Sequence, residues 1–205
     1  VFARHEKLVK TLVDISQMHD SPSHVHAIKI LAHMTRHPTN AKHIVFEIKT
    51  IVPAMVLATK SKNDEARLHA IFSLQNLSQD RTCRQELANT KDLILALCPR
   101  ARHTGATTEE RLAAMSTLKN LTDEPANLIT MSNTSECFAT LMQIAHGQSD
   151  DVDEQMQFLA CDALATLSHW LRKIATSGSA PPGKPSTTAA LFVPTLKVVT
   201  WSQWE

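Results

Sequence analysis

Two stretches of this chain, residues 65–80 (EARLHAIFSLQNLSQD) and 109–124 (EERLAAMSTLKNLTDE), superimpose without a gap at an offset of 44 residues, and seven of the sixteen positions are identical. The shared residues are Glu65/Glu109, Arg67/Arg111, Leu68/Leu112, Ala70/Ala114, Leu74/Leu118, Asn76/Asn120 and Leu77/Leu121. No other feature constrains the fold as tightly, because a unit of this size cannot bury an apolar face alone and must stack on its neighbours. The reduced pattern is an alanine followed by apolar residues four and seven places on. It recurs at Ala27, Leu31 and Met34, and again at Ala160, Leu164 and Leu167, so the anchor alanines are 43, 44 and 46 residues apart. Such positions share one helical face, and the small alanine lets a neighbouring helix approach closely.

Composition fits helices and disfavours a β-sandwich. The apolar positions are filled by Ala, Leu and Met, while the chain has only four Gly, six Phe, three Trp and no Tyr. The punctuation repeats as well. Ser21-Pro22 reads as a cap followed by a first-turn proline, and Thr107 with Glu110 as a capping box. Pro38, Pro99 and Pro125 fall where helices are expected to stop or start. Each unit is therefore predicted to hold a long helix, a short one and a medium one. The medium helices include residues 51–59, 91–97 and 135–145, and residues 5–18 form a medium helix cut off from its own repeat.

A period near 43 with three helices per unit resembles the armadillo repeat. Ser73-Leu74-Gln75-Asn76-Leu77-Ser78 and Thr117-Leu118-Lys119-Asn120-Leu121-Thr122 look like the end of that family's third helix. Residues 50–56, TIVPAMV, look like the start of its second. HEAT repeats are the nearest alternative, but they have two helices per unit. The resemblance covers residues 1–176. It implies an all-α, right-handed superhelical solenoid of about four armadillo-like repeats, the first truncated, with an extended C-terminal tail.

The resemblance also implies a use. In armadillo proteins the third helices line a concave groove, where a ladder of asparagines grips the backbone of an extended peptide. Asn76 and Asn120 occupy that ladder position by motif. An Asn amide offers a donor and an acceptor and so can pair with a peptide N–H and C=O without reading side chains. The plainer reading is of two helix asparagines bonded internally. The register extends the ladder column to His33, Asn76, Asn120 and Thr166. Seven residues before it lie His26, His69, Ala113 and Leu159, and four before it Lys29, Phe72, Ser116 and Asp162. Three after it lie Arg36, Gln79, Asp123 and His169. Nuclear-import receptors of the family carry tryptophan four places before the asparagine. Here that column has none, which disfavours binding of nuclear-localisation signals. The surface is instead expected to be basic at its start and acidic near its end, so the partner segment at the start should be acidic or phosphorylated.

The C-terminal region differs. Residues 177–189, SGSAPPGKPSTTA, read as a linker. Residues 190–205, ALFVPTLKVVTWSQWE, are apolar and β-prone and hold two of the three Trp. Phe192, Trp201 and Trp204 are expected to dock on the repeats, on either the same or another copy.

Several function classes are disfavoured. Net charge is +1, so no general basic field favours nucleic acid. No apolar run approaches the roughly 18 residues of a membrane span, and no signal peptide opens the chain. The chain begins at Val1, not Met, and is read as a piece of a longer protein. Cys83, Cys98, Cys137 and Cys161 are expected to be reduced core thiols of a cytoplasmic or nuclear protein. Sequons at Asn76, Asn120 and Asn133 are read as chance. His33 and His37 have a spacing seen in metal sites, but further ligands are not evident, and solvated or groove-lining histidines are expected. No catalytic or cofactor motif stands out. The expected function is thus a non-enzymatic protein–protein interaction module needing no cofactor or metal. The alternative is a self-associating structural module joined through its tail.

Overall fold

The computed structural model describes residues 5–18, 21–103, 105–147 and 153–177. The expectations for residues 190–205, Phe192, Trp201 and Trp204 among them, lie outside these, as does nearly all of the 177–189 linker. The described residues form helices joined by short turns, without a strand. In chain order the helices are α1 Glu6–Ser16, α2 Ser23–Thr35, α3 Pro38–Lys42, α4 Ile51–Ala58, α5 Asp64–Gln79, α6 Arg84–Asn89, α7 Leu93–Arg102, α8 Thr108–Thr122, α9 Leu128–Asn133, α10 Ser135–Ala145 and α11 Glu154–Ser177. Long, short and medium helices alternate as the punctuation predicts.

Local chemistry sets the boundaries. Asn63 caps α5 by accepting the Ala66 N–H at 3.0 Å, and Asp64 and Glu65 lie in its positive first turn. Asp80 ends α5 in an extended conformation, and its carboxylate accepts the Thr82 N–H to open a 3₁₀ turn. Thr107 Oγ1 likewise accepts the Glu110 N–H at 3.1 Å. The Glu110 side chain does not complete the expected capping box. It is buried, with Oε1 3.5 Å from Arg67 Nε and 3.6 Å from Arg100 Nη1, tying α5, α7 and α8 together. Ser21 Oγ accepts the Ser23 N–H at 3.3 Å, and Pro22 takes helical angles ahead of α2. Pro38 opens α3, and Pro125 opens the 3₁₀ turn before α9.

Pro99 departs from expectation: it lies inside α7, which continues to Arg102. Its missing N–H would have met the carbonyl of Leu95, on the exposed side of the helix, where solvent can take its place. α7 starts later than expected because Asp92 adopts a left-handed φ of 62° just before it.

The packing repeats with the sequence. α2, α5, α8 and α11 lie side by side in that order, and so do α1, α4, α7 and α10. Each medium helix also packs on the long helix after it: α1 on α2, α4 on α5, α7 on α8 and α10 on α11. The core sits between these two layers. The anchor alanines Ala27, Ala70, Ala114 and Ala160 are all buried, as are Leu31, Leu74 and Leu118. Side-chain amides stitch the short helices in: Asn40 Nδ2 donates to the Met34 carbonyl, and the buried Asn127 donates to the carbonyls of Arg84 and Leu121. Among the described residues no helix is long and apolar enough to cross a membrane.

Candidate functional site

The four register columns fall on α2, α5, α8 and α11, with Arg36 and Asp123 directly after α2 and α8 and still in helical conformation. Spacings of three, four and three residues keep each set on one helical face. Fifteen of the sixteen positions are exposed or half-buried, so this face is available; the exception is Ala113, which is buried.

The ladder asparagines are half-buried, and each is held by the preceding long helix. Asn76 Nδ2 donates to Thr35 Oγ1 at 3.3 Å, and Asn120 Nδ2 donates to Ser78 Oγ at 3.0 Å. Each hydroxyl in turn donates to a carbonyl of its own helix, Thr35 to Ala32 and Ser78 to Gln75, both at 2.7 Å. With that proton committed, the hydroxyl is fixed as an acceptor for the amide. The internal bonding of the plainer reading is thus present, but it uses one N–H of each amide. The carbonyl oxygen and second N–H remain for other partners. Two places after the ladder, Thr35, Ser78 and Thr122 repeat the hydroxyl, and Thr122 makes the same bond, to Lys119 O. At the fourth unit the ladder residue is Thr166, whose hydroxyl bonds its own helix at Asp162 O.

Charges on this face are largely paired across helices. Lys29 Nζ lies 3.0 Å from Glu65 Oε1, which holds the Glu65 carboxyl below its usual range. His69 Nε2 is 3.6 Å from the same oxygen. Burial, and then the Lys29 charge, keep His69 below the ordinary imidazole range. Its ring centroid is 6.4 Å from that of His33. Arg36 Nη1 sits 3.5 Å from His33 Nδ1. At the other end, Lys119 Nζ bridges Asp123 at 2.8 Å and Asp162 at 3.0 Å, and hydrogen bonding to these carboxylates raises its pKa. Arg84 approaches Asp123 at 3.8 Å.

The structure therefore brings together His33, His69, Lys29 and Arg36 at one end, and Asn120, Asp123 and Asp162 at the other. His26 is exposed on the same face of α2, and Phe72 and Ser116 are half-buried between the ends. Sequence reasoning missed Glu65 and Lys119, the residues that neutralise Lys29 and the two aspartates. Their spacing carried the signal: Glu65 lies one turn before His69, and Lys119 immediately precedes the ladder asparagine.

Other expectations are corrected. His33 and His37 do not share a helix, because α2 ends at Thr35 and His37 is extended before Pro38. His24 is neither solvated nor on the candidate face; it is buried, with Nδ1 2.6 Å from the Ser16 carbonyl oxygen. Cys83, Cys98 and Cys137 are buried free thiols, but Cys161 is exposed. Among the described residues no group of three or more His, Cys, Asp or Glu is placed to hold a metal ion.

A comparison with known protein families finds no matching model, and a comparison with curated proteins finds no match. Among solved structures, the chain is similar to the crystal structure of an engineered protein from the Northeast Structural Genomics Consortium. The TM-score is 0.63 at 19% identity, over 83% of this chain and 68% of that one. At that identity the likeness is one of fold alone.

Proposed function

We infer that this chain is a protein-binding module of armadillo type. In this reading its long helices line the groove of a right-handed superhelical solenoid, and Asn76 and Asn120 hold the backbone of an extended peptide. The observation that carries the reading is the hydroxyl-anchored amide, repeated one unit apart. An amide fixed at one N–H presents its remaining donor and acceptor in a set direction, which lowers the ordering cost of gripping a ligand backbone. The role is that of a scaffold or adaptor acting in the cytoplasm or nucleus, with recognition rather than catalysis as its chemistry.

Partner charge follows from what the scaffold leaves unneutralised. Lys29 is balanced by Glu65, so Arg36, assisted by His26, His33 and His69, is the main cationic contact for an acidic or phosphorylated segment. The test is a displayed library of random peptides selected on the wild-type protein. Selected peptides should be enriched in acidic residues and should lose affinity on Asn76→Ala/Asn120→Ala, each lost contact costing about 1–3 kcal/mol. Peptides that bind the double variant as tightly as the wild type would overturn the reading.

A further inference from the structure

The last long helix exposes what its three predecessors bury. Register pairs Cys161 with Ile28, Ile71 and Met115, which are all 0% exposed, yet Cys161 is exposed. Leu164 corresponds to Leu31, Leu74 and Leu118, again 0% exposed, yet it is only half-buried. Phe158 corresponds to Val25, Leu68 and Leu112, which are half-buried, yet it is 68% exposed. The cause is positional. α2 is followed by α5, α5 by α8 and α8 by α11, each packed on the one before, whereas no further helix follows α11 among the described residues. The face carrying Phe158, Cys161, Leu164 and Ala165 is therefore an apolar stacking surface without its next layer. Repeat stacks need such an end covered.

We propose that residues 190–205 of the same chain cover this face, with Phe192, Trp201 and Trp204 packing against Phe158, Cys161 and Leu164. Composition matches the need: the segment is apolar, with one Lys and one Glu, and holds two of the three tryptophans. Reach matches as well. α11 ends at Ser177, and Phe158 lies back along it by about 28 Å at the helical rise. Residues 178–189 span up to about 40 Å when extended. Attachment to the end of α11 gives the segment a high effective concentration at this face and not at a distant one. The peptide-binding face lies elsewhere on the helices, so this inference stands whether or not that reading holds.

Cys161 supplies the readout, because the other three thiols are buried in the core. The reaction of the whole chain with Ellman's reagent is followed at Cys161 by peptide mapping and compared with that of a chain ending at Ala189. The cap predicts that Cys161 reacts roughly tenfold or more slowly in the whole chain, the ratio reporting how rarely the cap opens. The rate in the whole chain should also be independent of protein concentration. Trp201→Ala/Trp204→Ala in the whole chain should restore fast reaction, which serves where the shortened chain aggregates. Equal Cys161 rates in the whole chain and in the double tryptophan variant would overturn the proposal. Protection that fades on dilution would also overturn it, and would assign the segment to a second copy.

Discussion

Asn76 and Asn120 each hold the scaffold through one amide N–H, and in the proposed reading the same side chains also meet a ligand. The hydroxyls of Thr35 and Ser78 each receive one amide N–H. Alanine at either position therefore removes a neutral hydrogen bond as well as the proposed ligand contact, and should lower stability by about 1 kcal/mol. A thermal or urea melt of each single variant checks this, and a loss several times larger would mean that the asparagines are chiefly structural. His69 offers a second residue-scale test. Its pKa is lowered, first by burial and then by Lys29, so the folded state binds fewer protons than the unfolded one just below the ordinary imidazole pKa. Stability contributed by neutral His69 is thus present above that pKa and declines as pH falls through it towards the lower folded value. An acidic ligand beside the ring would favour the protonated form, so binding should be tighter at lower pH across the same window. An NMR titration of His69 should show its midpoint rise on Lys29→Met, which removes a nearby positive charge and leaves the Glu65 carboxylate to the imidazole.

Among the elements, the long helices were the most legible in the sequence. Ala70, Leu74 and Leu77 on α5 repeat as Ala114, Leu118 and Leu121 on α8, and burial of that face is what fixes a helix in a stack. α10 matches the expected residues 135–145, because Ser135 opens it cleanly after Thr134. The short helices were legible only as punctuation. The π segment His43–Glu47 and the two 3₁₀ turns arise from how the chain turns between layers, which residue periodicity does not encode. Pro99 misled for a related reason: helix-breaking is a local propensity, and burial of Leu97, Cys98 and Ala101 on the other faces of α7 overrides it. At the candidate site the columns were readable from register, but the pairing of Lys29 with Glu65 and of Lys119 with Asp162 joins different helices and needed their packing. Two core changes test the element account. Leu74→Ala should cost about 2–5 kcal/mol through the cavity it leaves. Glu110→Ala should cost about 1–3 kcal/mol, because it takes the buried carboxylate from Arg100 and leaves Arg67 only the exposed carboxylate of Asp64. Denaturant melts that show either variant within error of wild type would contradict the packing described.

For the whole molecule, the repeating order of helices sets what the surface can do. Neighbouring long helices present Asn76 and Asn120 one unit apart, so a ligand lying across them meets the same chemistry twice. In the proposed reading such a surface reads backbone more than side chains, which would separate it from a pocket that recognises one group. The claim is tested most directly by removing a donor from the ligand and not from the protein. A library-selected peptide and its counterpart N-methylated at the central backbone positions would be titrated calorimetrically into the wild type and into Asn76→Ala/Asn120→Ala. The account predicts a loss of at least about tenfold on N-methylation with the wild type and little further loss with the double variant, because the missing N–H no longer has its partner. An equal loss with both proteins would contradict the account, placing the peptide's backbone contacts away from Asn76 and Asn120.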